Sequence, residues 1–229
     1  MRAVYLKDIQ QEHIEIDGEK LHHFKNVLRL KLGTEILCLN GSGSDREYTI
    51  DSISKKSMSL KAISPINKHV RAHDLSLAIA CVKKDALDLS LKMACELGFK
   101  KITILESEFS QKYKLNLQRM ESILISALEQ SNSPYLPELK VEGLDIFLEN
   151  NKKIFYLSMK KEKSPSVDNF KNYTLLIGPE AGFSESEHEL ICQNIETVPL
   201  HLNTNILRAQ TAVATGCGFV LSMQNNIDA

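Results

Sequence analysis

The sequence has no tryptophan, and only six tyrosines and eight phenylalanines among its 229 residues. That is too few rings for a base-stacking platform of the kind that holds single-stranded nucleic acid. It also lacks any Cys-x-x-Cys pair. Its five cysteines, at positions 38, 81, 95, 192 and 217, are odd in number and sit mostly in apolar stretches, so neither a structural metal site nor a disulfide framework is expected. No run of about 18 apolar residues occurs. The start, Met1-Arg2-Ala3-Val4-Tyr5-Leu6-Lys7-Asp8, has no long apolar core before a small-residue cleavage site. A cytoplasmic protein with no membrane partner is the expectation. Neither Gly-x-Gly-x-x-Gly nor Gly-x-x-x-x-Gly-Lys-Ser/Thr is present, which disfavours a nicotinamide dehydrogenase and excludes a phosphate loop. Internal repeats and low-complexity segments are absent as well.

An excess of charge of one sign is missing overall, since the formal net charge is −1. The charge is unevenly divided, however. Residues 1–72 carry 12 Lys/Arg against 9 Asp/Glu, and residues 73–229 carry 16 against 20. This fits either ordinary surface variation or an RNA-facing first part. The hydrophobic fraction of 43% and charged fraction of 25% are those of a soluble globular protein. The length permits two domains at roughly 100–200 residues each or fewer.

Residues 35–39, 46–53 and 57–63 alternate partially and read as strands, with turns at Gly41-Ser42-Gly43-Ser44 and Lys55-Lys56. Leu21, Phe24, Val27, Leu28 and Leu30 recur at near-helical spacing and predict a short helix over 19–30 that ends before Gly33. The first part therefore reads as a small β-barrel with one helical plug. Pro65 and the polar run 67–74 suggest a boundary, giving domains over 1–72 and 73–229. Beyond it, the apolar run Leu75–Val82 predicts a buried parallel strand, followed by a helix at 85–97 stopped by Gly98. Further strands are predicted at 101–105, 153–158 and 173–177, and helices at 117–131, 185–195 and 208–224. Alternating strands and helices imply an α/β domain with a largely parallel sheet.

Two segments carry candidate chemistry. The strand ending at Ile177 runs into Gly178-Pro179-Glu180-Ala181-Gly182-Phe183, and Ser184 with Glu187 forms a capping box for the next helix. Ligands of open α/β sheets sit at the carboxyl ends of strands, where glycines let backbone approach them. An ordinary βα turn has the same residues. The second segment, Leu200 to Ala212, is a polar loop leading into a helix rich in alanine and glycine, with Arg208 at its start. Small residues there allow close packing, and Arg208 alone reads as a solvated charge.

Together these segments resemble the SPOUT superfamily of RNA methyltransferases, and within it the ribosomal RNA small subunit methyltransferase E family, which methylates N3 of a uridine in 16S rRNA. His23-Phe24-Lys25-Asn26-Val27-Leu28-Arg29 with Gly33 is similar to that family's N-terminal PUA-like domain. Lys92-Met93-Ala94-Cys95-Glu96-Leu97-Gly98, Glu129-Gln130-Ser131, Ile177 to Ser184 and Ile206 to Thr211 match its later motifs in order. The chain departs from the family pattern at Ala181 (usually glycine), Gln210 (usually glutamate), Ser133 and Asn205 (often arginine).

The resemblance implies a PUA-like β-barrel followed by an α/β methyltransferase domain with a deep trefoil knot, an exception to unknotted folds, and a homodimer. It implies S-adenosyl-L-methionine (SAM) as cofactor, held by Leu157, Ile177, Gly178, Pro179, Gly182, Leu202, Asn203, Ile206 and Leu207, with the 30S subunit or its 16S rRNA as partner. Arg208 is the expected stabiliser of a uridine anion, and Glu180 is a candidate proton acceptor or helix-capping carboxylate. Arg2, His23, Lys25, Arg29 and Lys31 are candidate RNA contacts, chiefly to phosphates. Two alternatives stay open: a SPOUT methyltransferase acting on tRNA or another rRNA nucleotide, and an RNA-binding or ribosome-assembly protein without methyl transfer.

Overall fold

The computed structural model describes residues 1–158, 172–194 and 196–225. They divide into two compact units, the first comprising Met1–Arg71 and Leu128–Leu136, the second the other described residues.

The first unit contains β1 (Arg2–Tyr5), β2 (His13–Ile16), α1 (Gly18–His22), β3 (Glu35–Leu39), β4 (Ser44–Ile53), β5 (Met58–Ala62) and β6 (Asn67–Lys68). Its sheet runs in the order β1-β3-β4-β5-β2, with β6 on β4. The β1–β3 pair is parallel and the other pairs antiparallel. Burial alternates along β4, whose Tyr48 and Ile50 turn inward, as a half-buried strand requires. They join Val4, Phe24, Ile36, Cys38, Met58 and Leu60 in one core. The predicted helix over 19–30 is divided: α1 is followed by a π-helical turn at His23–Val27 that buries Phe24. The polar run at 67–74 is not all linker, because Asn67–Lys68 forms β6.

Residues 128–136 belong with this unit through several contacts. Glu129 Oε1 accepts a hydrogen bond from the Tyr5 amide at 2.8 Å. The Tyr135 hydroxyl donates to the His69 carbonyl at 2.7 Å, and its ring lies where a Cβ on Gly43 would stand. Gly43 has φ +96, so glycine is required there on both counts.

The second unit holds β7 (Ser76–Ala80), α2 (Lys84–Glu96), β8 (Lys101–Glu106), most of α3 (Leu117–Ser131), β9 (Glu138–Gly143), α4 (Leu144–Asn150), β10 (Lys153–Leu157), β11 (Thr174–Ile177), α5 (Glu185–Gln193), β12 (Glu196–Leu200) and α6 (Ala209–Asn225). The predicted last residue of α5, Ile195, lies outside the described residues. All six strands are parallel, in the order β12-β10-β11-β7-β8-β9. The central strand β7 buries Leu77, Ala78, Ile79 and Ala80 completely, the continuous apolar pattern of a strand covered on both faces. On one face Tyr156 and Leu176 pack with Leu144 and Phe147 of α4 and Ile191 of α5. On the other, α6 packs on α2 and β11. A Cβ on Gly216 of α6 would come within 3.1 Å of Leu175 and 3.8 Å of Leu157, so the missing side chain sets the depth at which α6 lies on the sheet.

Candidate active site

At the carboxyl ends of β10, β11 and β12 lies a cavity of about 400 Å3, within the usual range for small-molecule sites. Three walls meet there. The first is the turn after β11. The Gly182 amide donates to the Pro179 carbonyl at 2.9 Å, and Gly182 has φ +80. Ala181 is not in the left-handed region, so its methyl adds no backbone strain to the turn. Phe183 folds back over Gly178, where a Cβ would stand 3.1 Å from the ring. The turn then enters α5 through a capping box: the Glu187 amide donates to Ser184 Oγ, and the Ser184 amide donates to Glu187 Oε2 at 3.0 Å. The other oxygen of Glu187 accepts from the Glu108 amide at 2.8 Å, which ties the turn to the loop after β8.

The second wall is the loop 201–208. The Thr204 amide closes a tight turn on the Leu202 carbonyl at 2.7 Å, and the Thr204 hydroxyl donates to the Asn205 carbonyl at 3.0 Å. Ile206 is 81% exposed at the rim. Ala209 and Ala212 of α6 close the bottom of this wall. The third wall is the end of β10 with the face of α5. Tyr156 lies 6.0 Å from Phe183 and 5.6 Å from His188 between ring centroids, and its hydroxyl is 3.2 Å from His188 Nδ1.

Of the residues expected to hold a cofactor, Leu157, Ile177, Gly178, Pro179, Gly182, Leu202, Ile206 and Leu207 all line this cavity; Asn203 does not, and is exposed beside it. Glu180 lines it too, and its Oε1 accepts from the Lys83 amide at 3.2 Å. Lys83 is the cap position of α2, where amides lack intrahelical partners. That contact is one a helix-capping carboxylate makes. Arg208 is exposed just outside the lining, and its carbonyl accepts the Ala212 amide at 2.8 Å. Phe183 and His201, within the two motif segments, line it as well, and sequence reasoning missed Tyr156, Glu185 and His188 as lining residues. Tyr156 lies far from both segments along the chain, and the parallel order of β10, β11 and β12 brings it to them.

The candidate RNA contacts lie in the first unit. Arg2 Nη1 donates to the Leu28 carbonyl at 2.6 Å, and Lys25 Nζ donates to the Ser54 carbonyl at 2.6 Å. Arg29 is exposed with φ 55, Lys31 is exposed, and His23 is half-buried beside Phe24. Arg2 thus reaches the 23–31 segment that carries the others. The buried cysteines are inert by environment: burial pushes Cys38, Cys95 and Cys217 up to about 12. Among the described residues, no group of His, Cys, Asp and Glu could hold a metal ion.

The parallel α/β unit with a cavity built from two loops, one after β11 and one before α6, defines a class that the comparisons specify. An RNA methyltransferase domain family matches residues 70–221, and an RNA methyltransferase PUA domain family matches residues 16–63. A ribosomal RNA small subunit methyltransferase E from Rickettsia conorii is 30% identical over 93% of this chain and 91% of its own. A methyltransferase from Legionella pneumophila, solved with SAM bound, superposes with a TM-score of 0.85 at 26% identity, covering 96% of this chain and 97% of that one. The fold is shared also with a ribosomal RNA small subunit methyltransferase E from Neisseria gonorrhoeae, at TM-score 0.84 and 21% identity over 97% and 98% of the two chains. The chain belongs to the RNA methyltransferases of the ribosomal RNA small subunit methyltransferase E family.

Proposed function

We propose that the protein transfers a methyl group from SAM to N3 of a uridine in the 16S rRNA of the small ribosomal subunit. The observation that carries this reading is the cavity, which gathers every expected cofactor residue except Asn203. Its lining suits the cofactor. Gly178 presents no side chain, the loops offer backbone groups, and the acidic residues Glu180 and Glu185 line it with no lysine or arginine among the described residues, as a ligand bearing a cationic sulfur favours.

When bound, SAM supplies an electrophilic methyl group. The chain's own task is to hold the uridine with N3 aligned at near-attack distance and to favour loss of the N3 proton. Arg208 is exposed and its side chain makes no hydrogen bond or ion pair among the described residues. It is available to place its guanidinium beside a uridine carbonyl and stabilise the anion. Glu180, held on the Lys83 amide, acts as the clamp of the first loop. N3 lies on the Watson–Crick edge, so the target base must be unpaired or splayed out. Arg2, His23, Lys25, Arg29 and Lys31 position RNA through sequence-independent contacts.

The close seat of Gly216 on Leu175 and Leu157 supports threading of α6 as a trefoil knot. Exposed Ile206 and Phe219 support a homodimer. Among the described residues no helix is long and apolar enough to cross a membrane, which fits action on ribosomes in the cytoplasm. Domains over 1–72 and 73–229 remain the working boundaries. Titration calorimetry tests the reading: saturable SAM binding is expected, and no heat at millimolar SAM would contradict it. One observation favours a catalytically silent RNA-binding protein instead. Gln210, at the family's usual glutamate, buries Oε1 without a partner among the described residues. Absence of SAM binding would move the assignment there.

A further inference from the structure

Three glutamates, Glu180, Glu185 and Glu187, lie between the turn after β11 and the start of α5, and two are committed to backbone. Glu180 holds the Lys83 amide, and Glu187 holds the amides of Ser184 and Glu108. The third, Glu185, lines the cavity, is exposed, and makes no hydrogen bond or ion pair among the described residues. Among the described residues, no lysine or arginine lines the same space. Arg208 lies outside the lining, between the lining residues Leu207 and Ala209.

We propose that Glu185 is a specificity-determining residue that makes the cavity prefer the charged methyl donor over its spent form. The inference rests on the reading of the cavity as the SAM site. Methyl transfer breaks the sulfur–methyl bond and leaves its electron pair on sulfur, so a sulfonium cation becomes a neutral thioether while the N3–methyl bond forms and the N3 proton passes to solvent water. Donor and product otherwise share adenosyl and amino-acid groups. Shape and hydrogen bonding therefore hold them nearly alike, and only an uncompensated charge distinguishes them by more than one methyl. A carboxylate with no other partner among the described residues acts on that difference alone. It would weaken product inhibition and help the spent cofactor leave. Glu185 also stands in the first turn of α5, where a carboxylate favours the helix; that effect is the same with either ligand bound and is read separately in the melting of the free protein.

The test is calorimetry of the full-length protein with SAM and, separately, S-adenosyl-L-homocysteine, at low and high salt. Glu185→Gln should weaken SAM by about two- to fivefold, the range of a solvent-screened ion pair, and leave S-adenosyl-L-homocysteine unchanged. The loss should shrink in high salt. Glu185→Asp should keep most of the preference. Glu189→Gln, which removes a charge from the same helix away from the cavity, should change neither ligand. Equal weakening of both ligands by Glu185→Gln, no weakening of either, or the same selective loss with Glu189→Gln would overturn the proposal. If the unaltered protein binds neither ligand, the SAM reading itself fails and the proposal with it.

Discussion

Two glycines of α6, two residues apart, should respond to the same substitution with opposite sign. Neither Gly216 nor Gly218 has a positive φ, so alanine at either position fits the helical backbone and should gain about 1 kcal/mol of helix propensity. At Gly218 nothing lies within 4 Å of the added Cβ, so the gain stands. At Gly216 the Cβ meets Leu175 Cδ2 at 3.1 Å and Cδ1 at 3.4 Å. Leu175 is 1% exposed on β11 and has no open side to move toward, so overpacking should cost about 1–3 kcal/mol. The net for Gly216→Ala is roughly 0–2 kcal/mol of destabilisation. For a chain of this length about 1 kcal/mol moves Tm by roughly 2–4 °C. Thermal melting should therefore show Gly218→Ala melting a few degrees higher and Gly216→Ala lower than the parent. A higher Tm for Gly216→Ala would refute the claim that its missing side chain seats α6 on the sheet. A lower Tm for Gly218→Ala would refute the reading of its face as open.

Further outcomes follow from other contacts. Glu180→Gln keeps an oxygen for the Lys83 amide and should retain methyl transfer within about tenfold, whereas loss of a general base would cost about 100-fold or more. Glu180→Ala should instead weaken SAM binding with little change in kcat. A maleimide reagent near neutral pH should label Cys192, which is exposed, and spare the four buried cysteines, Cys38, Cys95 and Cys217 with thiols pushed up to about 12 and Cys81 with its thiol raised by burial; rapid labelling of more than one thiol in the folded protein would contradict this. Asp88 of α2 and Arg119 of α3 form a bidentate pair at 2.7 and 2.6 Å, which holds the Asp88 carboxyl below the usual range. A depressed carboxylate stabilises the fold above its unfolded pKa and loses that contribution as pH falls through its folded one. Arg119→Ala should therefore lower stability slightly near neutral pH, as a solvent-screened pair does, and denaturant melts should show the difference vanishing in acid. A difference independent of pH would contradict it.

The interior of the fold was legible in the sequence because interior elements carry unmixed signals. The strands β7, β8, β10 and β11 are apolar runs, and the Ser184–Glu187 box marks the start of α5 at the residue observed. The sheet edges were not legible. β9 reads Glu-Leu-Lys-Val-Glu-Gly and β12 reads Glu-Thr-Val-Pro-Leu, with charges and a proline that an edge strand tolerates because one side of its ladder is unpaired. α4, with seven residues and no side-chain cap, gives a pattern too short to separate from a loop. The grouping of residues 128–136 with the first unit depends on long-range contacts such as Tyr135 on Gly43, which no local pattern encodes. The candidate site divides in the same way. Its two loops are contiguous motifs and were found, whereas Tyr156 reaches the cavity only through the order of the strands, and Glu185 and His188 only through the direction in which α5 leaves the first loop.

The central claim is tested most directly by nucleoside mass spectrometry of 16S rRNA from cells lacking the gene and from the same cells carrying the parent or the Arg208→Ala protein. The account predicts that N3-methyluridine disappears with the gene, returns with the parent, and with Arg208→Ala returns at a rate lower by roughly 100-fold or more. N3-methyluridine unchanged by loss of the gene, or restored equally by Arg208→Ala, would contradict it.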